Sequence, residues 1–152
     1  MPRHACPERG FSLVELLVVI GVAAVLLAIA LPNVSGVMEA NKLQTSSSML
    51  ASKLTEARIN ALKRNRAAWL RVDAGAGRVQ VQTSGGGGAT LDIGAPGVLP
   101  AGVAFVEPAA NIQFDSVGRP VNPPPRRLTV EIVRTRARRS VTVSPAGAVR
   151  RE

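Results

Sequence analysis

Residues 10–31 read GFSLVELLVVIGVAAVLLAIAL, and the organisation of the whole chain follows from them. From Leu16 to Leu31 there is neither a charge nor a polar side chain. As a helix rising roughly 1.5 Å per residue, Phe11–Leu31 is about 31 Å long, enough to cross a bilayer core of about 30 Å. Before it stand ten residues, MPRHACPERG, with Arg3 and Arg9. Basic residues on that side favour keeping it cytoplasmic, so the remainder of the chain is expected outside. A secretory signal places its small-residue cleavage site after the apolar stretch. Here Gly10 comes before it. Glu15 is the one ionisable group in the run, at a depth where a carboxylate costs up to about 3 kcal/mol. Such a group either has a partner or snorkels to the headgroups, and position alone does not choose between these.

Downstream, the hydrophobic period changes twice. Between Asn33 and about Asn65, Leu43, Leu50, Leu54, Ala57 and Ala61 fall on one helical stripe, with Lys42, Lys53, Lys63 and Arg64 off it. The polar Thr45–Ser48 stretch weakens this helix without ending it. After residue 66 the period becomes two. Ala68–Asp73 and Arg78–Gln82 read as a hairpin across Ala74–Gly77, and Leu128–Val133 and Ser140–Ser144 as two further strands. Between them come a flexible Gly85–Gly88 loop, short apolar pieces near Val98–Val106 and Asn111–Asp115, and a stiff Pro123–Pro125 connector. One Trp, three Phe and no Tyr leave the core to Val, Leu, Ile and Ala, which suits short strands. The fold class is therefore α+β, a long N-terminal helix on a small antiparallel β-rich head. The expected organisation is a leader over 1–10, a transmembrane helix over 11–32, its continuation over 33–66 and the head over 67–152.

Catalysis is not expected. No Gly-x-Ser-x-Gly, His-Glu-x-x-His or Ser-x-x-Lys arrangement occurs. The one cysteine, Cys6, and the one histidine, His4, both lie in the leader. Neither a metal site nor a cofactor is expected. The charge is more informative. The net value is +9. From Ser116 onward, Arg119, Arg126, Arg127, Arg134, Arg136, Arg138, Arg139, Arg150 and Arg151 stand against Glu131 and Glu152. Such a stretch attracts phosphates, anionic headgroups or acidic proteins, or else simply solvates a strand face. On a strand, Arg134, Arg136 and Arg138 would share a face and form a backbone-contacting anion patch together with Arg139, Arg150 and Arg151. No aromatic side chain interleaves with them, so base stacking has no support.

The string Gly10-Phe11-Ser12-Leu13-Val14-Glu15 and the apolar residues after it resemble the class III signal of type IV pilins and type II secretion pseudopilins. That resemblance implies cleavage by a prepilin peptidase after Gly10, methylation of the new amine on Phe11, and pairing of Glu15 with the amino terminus of a neighbouring subunit. Pro32 stands where pilin stems kink, and a proline does remove a backbone bond and crowd the preceding turn. Ala57–Asn65, Ile112–Gly118 and Val141–Gly147 look like the GspH/FimT family, whose members have a long helix and a head of two sheets. Membership implies a minor pseudopilin of type II secretion, held in the inner membrane with its head in the periplasm, and partnered by other major and minor pseudopilins or pilins. The alternative is a FimT/FimU-like minor pilin of a type IV pilus that binds DNA through its Arg-rich C-terminal region. In some FimT-like members that region has a Gly-Arg-x-Arg form. Here it reads Gly147-Ala148-Val149-Arg150-Arg151, without the first arginine.

Overall fold

The computed structural model describes residues 11–85, 88–106, 111–121 and 126–152, with the side chains of 30–34 and 126 left out. Gly10, the side chain of Pro32 and Pro123–Pro125 therefore lie outside the described residues. The chain forms two compact units, one ending at Met38 and the other running Glu39–Glu152. Helix α1, Leu13–Arg64, contributes to both.

In the first unit every described side chain from Phe11 to Ile29 is exposed. Phe11 is 80% exposed, and the Leu, Val and Ile side chains are 56% or more. An apolar surface of this extent needs a covering of lipid or protein. Among the described residues no helix is long and apolar enough to cross a membrane; the side chains described in the apolar run stop at Ile29.

In the second unit the anticipated stripe is the buried face of α1: Leu50, Leu54, Ala57 and Ala61 are fully buried and Leu43 nearly so. The serines do not break the helix, and two of them bond back to it. Ser46 Oγ donates to the carbonyl of Lys42 at 2.7 Å and Ser47 Oγ to that of Gln44 at 3.0 Å. Both are buried, so small side chains satisfied within the helix allow close packing here. The helix stops at Asn65, whose φ of 49° is left-handed. The amide of Arg66 then reaches the carbonyl of Ala61 and that of Asn65 the carbonyl of Leu62, a Schellman cap built on asparagine rather than glycine.

Two antiparallel four-stranded sheets complete the unit. Strands β1 (Ala68–Asp73), β2 (Arg78–Ser84), β3 (Thr90–Val98) and β5 (Ile112–Phe114) form the first, in the order β3-β2-β1-β5. Strands β4 (Val103–Phe105), β6 (Arg126–Ile132), β7 (Arg138–Val143) and β8 (Val149–Arg151) form the second, in the order β4-β6-β7-β8. The β1–β2 register places Leu70 opposite Val81 and Val72 opposite Val79. Those residues, with Ile112, Phe114, Leu128, Val130, Val141 and Val143, share one core with Leu50 and Leu54.

One expectation needs correction, and two strands were not anticipated. First, β3 lies between the expected Gly85–Gly88 loop and the apolar piece from Val98, where no strand was anticipated. It contains Gly94, Pro96 and Gly97, and it sits at the edge of its sheet, where a missing amide is tolerated. Its pairing with β2 jumps from Val81↔Ile93 to Val79↔Gly97, so residues 94–96 bulge opposite Gln80. Gln80 Nε2 donates to the carbonyls of Ile93 and Gly94, and Lys53 Nζ donates to that of Ala95. Second, the strand expected to run to Val133 ends at Ile132. Third, Val149–Arg151 pairs with β7 as the edge strand β8.

Candidate assembly helix and basic turn

Glu15 lies in the first turn of α1. The Leu16 amide bonds the Ser12 carbonyl at 3.2 Å, which makes Ser12 the N-cap. Ser12 and Glu15 thus have the spacing of a capping box. Yet neither side chain makes a hydrogen bond or ion pair among the described residues, and both are exposed. The helix terminus still favours negative charge there. This leaves a carboxylate held on a helix, surrounded by apolar side chains and free to take an external cation. Phe11, at the start of that helix, is equally uncovered.

The six C-terminal arginines do not form one patch. Residues 133–135 are a turn between β6 and β7, and Arg136 adopts a left-handed φ of 57°, so Arg134, Arg136 and Arg138 do not line a strand face. The turn is closed by the amide of Arg136 on the carbonyl of Ile132 at 2.8 Å. Arg136 and Arg138 converge on Glu131: Nη1 of the former meets Oε1 at 2.8 Å, and Nε of the latter meets Oε2 at 3.0 Å. Glu131 is only 7% exposed, covered by these two longer side chains. Desolvation there pushes its carboxyl upward, but the bonds from Arg138 and Arg136 and their charges outweigh it, and its pKa lies below the ordinary value of 4.5. Arg134 and Arg139 are exposed and unpaired among the described residues.

Arg150 and Arg151 lie on β8. Arg150 pairs with Thr142, which is four residues, about 13 Å of strand, from Arg138. Arg151 turns to the other face, where its Nη1 donates to Ser48 Oγ on α1 at 2.8 Å beside a groove of about 660 Å³. Arg127 is bridged to Glu152 at 2.7 Å. Three of the seven arginines between 127 and 151 thus have acidic partners, and a fourth is tied to a hydroxyl.

Sequence reasoning missed two residues. Glu131 was legible in principle: Leu128, Val130 and Ile132 face the core, so Glu131 faces out, and the hairpin register sets it opposite Arg138. Arg58 gives no such signal. It projects from α1 between the turns at Gly118 and Gly147, donates from Nη2 to the carbonyl of Ala146 at 3.2 Å, and has a buried Nε without a partner. Among the described residues no three His, Cys, Asp or Glu side chains gather into a metal-binding group.

Two family models match this chain. Residues 7–31 match the prokaryotic N-terminal methylation motif, and residues 47–147 match type II transport protein GspH. A pilin-like protein, PilA1, from Thermus thermophilus is 36% identical over 108 residues; these cover 71% of this chain, which spans about half (54%) of that protein. The minor pseudopilin EpsH from the type 2 secretion system of Vibrio cholerae superposes with a TM-score of 0.60 at 16% identity, covering 73% of this chain and 96% of EpsH. The type IV minor pilin FimU of Pseudomonas aeruginosa superposes at 0.59 with 24% identity, covering 75% and 90%. At such identities these likenesses concern the fold: an N-terminal helix on antiparallel sheets. With a methylation motif leading into a matching head, the chain belongs to the type II transport protein GspH family.

Proposed function

We propose that this chain is a minor pseudopilin of a type II secretion pseudopilus. Prepilin peptidase cuts between Gly10 and Phe11 and methylates the new amine. The segment 11–32 then holds the subunit in the inner membrane, with its N-terminus cytoplasmic and its head periplasmic. Glu15 meets the terminal amine of a neighbouring pilin or pseudopilin, and assembly proceeds through this helix. The observation that carries the reading is the order of the two matches on one chain, methylation motif first and GspH head after it. The uncovered carboxylate of Glu15 supports it physically. Burying an ammonium and a carboxylate together relieves the penalty on each, and the pair fixes axial register.

Mass spectrometry of the native membrane protein tests the processing step: a mature start at Phe11 with a methylated amine is expected, and an intact Met1 start would sink the reading. Glu15→Val should be inserted and cleaved normally yet be lost from isolated filaments. Recovery of the variant with them would remove the role given to that carboxylate.

A type IV minor pilin is the second reading, favoured by the 36% identity to a pilin-like protein. A deletion strain separates the two. Loss of exoprotein secretion supports the pseudopilus, and loss of pilus-dependent motility or DNA uptake supports the pilus. DNA binding would have to use arginines of which several already have acidic partners.

A further inference from the structure

The turn between β6 and β7 is fixed at the end of the head where the chain enters it. Thr135 Oγ1 donates to Glu39 Oε2 at 3.0 Å, and Glu39 is the first residue of the head unit. The amide of Val133 bonds the carbonyl of Gly102 at 3.0 Å, and Lys42 Nζ donates to the carbonyl of neighbouring Ala101 at 3.1 Å. Five cations, Lys42, Arg134, Arg136, Arg138 and Arg139, thus lie on this turn, its flanks or the residues bonded next to it, with Arg136 and Arg138 paired to Glu131. Beside them Val133 is 54% exposed, an apolar side chain at the tip of a cationic turn.

Chain connectivity sets what this tip can reach. Glu39 follows Leu31, the last residue of the apolar run, by eight residues, a tether that spans at most about 28 Å. A headgroup layer adds roughly 5–8 Å to each side of the hydrocarbon core, and charges at a surface act over about 8–10 Å at physiological salt.

We propose that before assembly this turn docks the head on the anionic phospholipid headgroups of the membrane that anchors it, with Arg134 and Arg139 as the free cations and Val133 entering the interface. The proposal rests on the anchor reading of residues 11–32. A cation near such a surface strengthens association about five-fold, so two free arginines and the surplus of the cluster suffice for a tethered head. A nucleic acid fits less well. Duplex binders commonly neutralise about 6–10 phosphates, whereas Arg136 and Arg138 are already committed to a buried carboxylate.

The test uses the full chain in vesicles of phosphatidylcholine, with and without about 30 mol % phosphatidylglycerol, and reads hydrogen exchange over 133–137. Exchange should slow several-fold in the anionic vesicles at about 0.1 M salt, and the effect should vanish at about 0.5 M salt or in R134A/R139A. Equal exchange in the two compositions, while the chain floats with both, overturns the docking and leaves the anchor intact. A chain that does not float with phosphatidylcholine vesicles overturns the anchor, and the docking with it. A short DNA duplex that protects the turn in pure phosphatidylcholine overturns the proposal in favour of a nucleic-acid site.

Discussion

Replacing Gly147 by alanine tests how α1 is clasped to the β7–β8 turn. Gly147 has a φ of 78°, and a Cβ there would press on the carbonyl oxygen of Gly118 and lie 3.1 Å from Arg58 Nε and 3.2 Å from its Cζ. Gly102, with a φ of 86° and nothing within 4 Å of its Cβ position, supplies the control. Both substitutions place alanine in the left-handed region at about 1–2 kcal/mol, offset by about 0.4–1 kcal/mol from a stiffer unfolded chain. Gly102→Ala should therefore cost about 1 kcal/mol. Gly147→Ala must also displace one backbone segment or the guanidinium, at about 1–3 kcal/mol, and strain the Arg58–Ala146 bond, worth about 1 kcal/mol. The difference between the variants is then about 2–4 kcal/mol. For a head of this size that is roughly 8–16 °C in thermal midpoint, readable by circular dichroism. Adding Arg58→Ala should recover part of the loss in Gly147→Ala, because one of the two obstructing groups is gone. Equal midpoints for the two alanine variants would refute the crowding argument.

Two further outcomes follow from the buried groups. Because the pKa of Glu131 is depressed in the folded head, its ion pairs stabilise fully above its ordinary value of 4.5 and lose that contribution as pH falls through the lower folded value. The midpoint gap between the parent and Glu131→Gln should hold between about pH 5 and 7 and close on further acidification; an unchanged gap in acid would contradict the assignment. Leu54→Ala should destabilise by about 2–5 kcal/mol in urea titrations, since Leu54 is fully buried in the core that both sheets share. Ile59→Ala, at a site 42% exposed on the same helix, should cost less than about 1 kcal/mol. Similar losses for the two would mean that the buried stripe is misplaced.

How much could be read beforehand depended on whether one local signal spoke for a residue. The stripe from Leu43 to Ala61 was legible because a helix buries a face at fixed spacing, and every stripe residue is in the core. The β1–β2 hairpin was legible because alternation and a Gly-rich turn agree. Strand β3 was not, since Gly94, Pro96 and Gly97 signal a break, and only its place at a sheet edge beside α1 makes them acceptable. Strand β8 was hidden because an arginine pair carries no period. The basic region misled in a related way. Counting charges gave its sign, but the turn at 133–135 and the register that sets Arg138 opposite Glu131 decide which cations are free. The asparagine cap at residue 65 likewise depends on a left-handed φ that asparagine adopts more readily than most residues but does not announce.

The bulged outer rim of the first sheet has a consequence for how copies of the head meet. A regular edge strand would invite the next copy to zip onto it. In β3 the carbonyls at 93–95 are occupied by Gln80 and Lys53, and Pro96 has no amide to give. An edge broken by a bulge and a proline disfavours ribbon-like growth from that side.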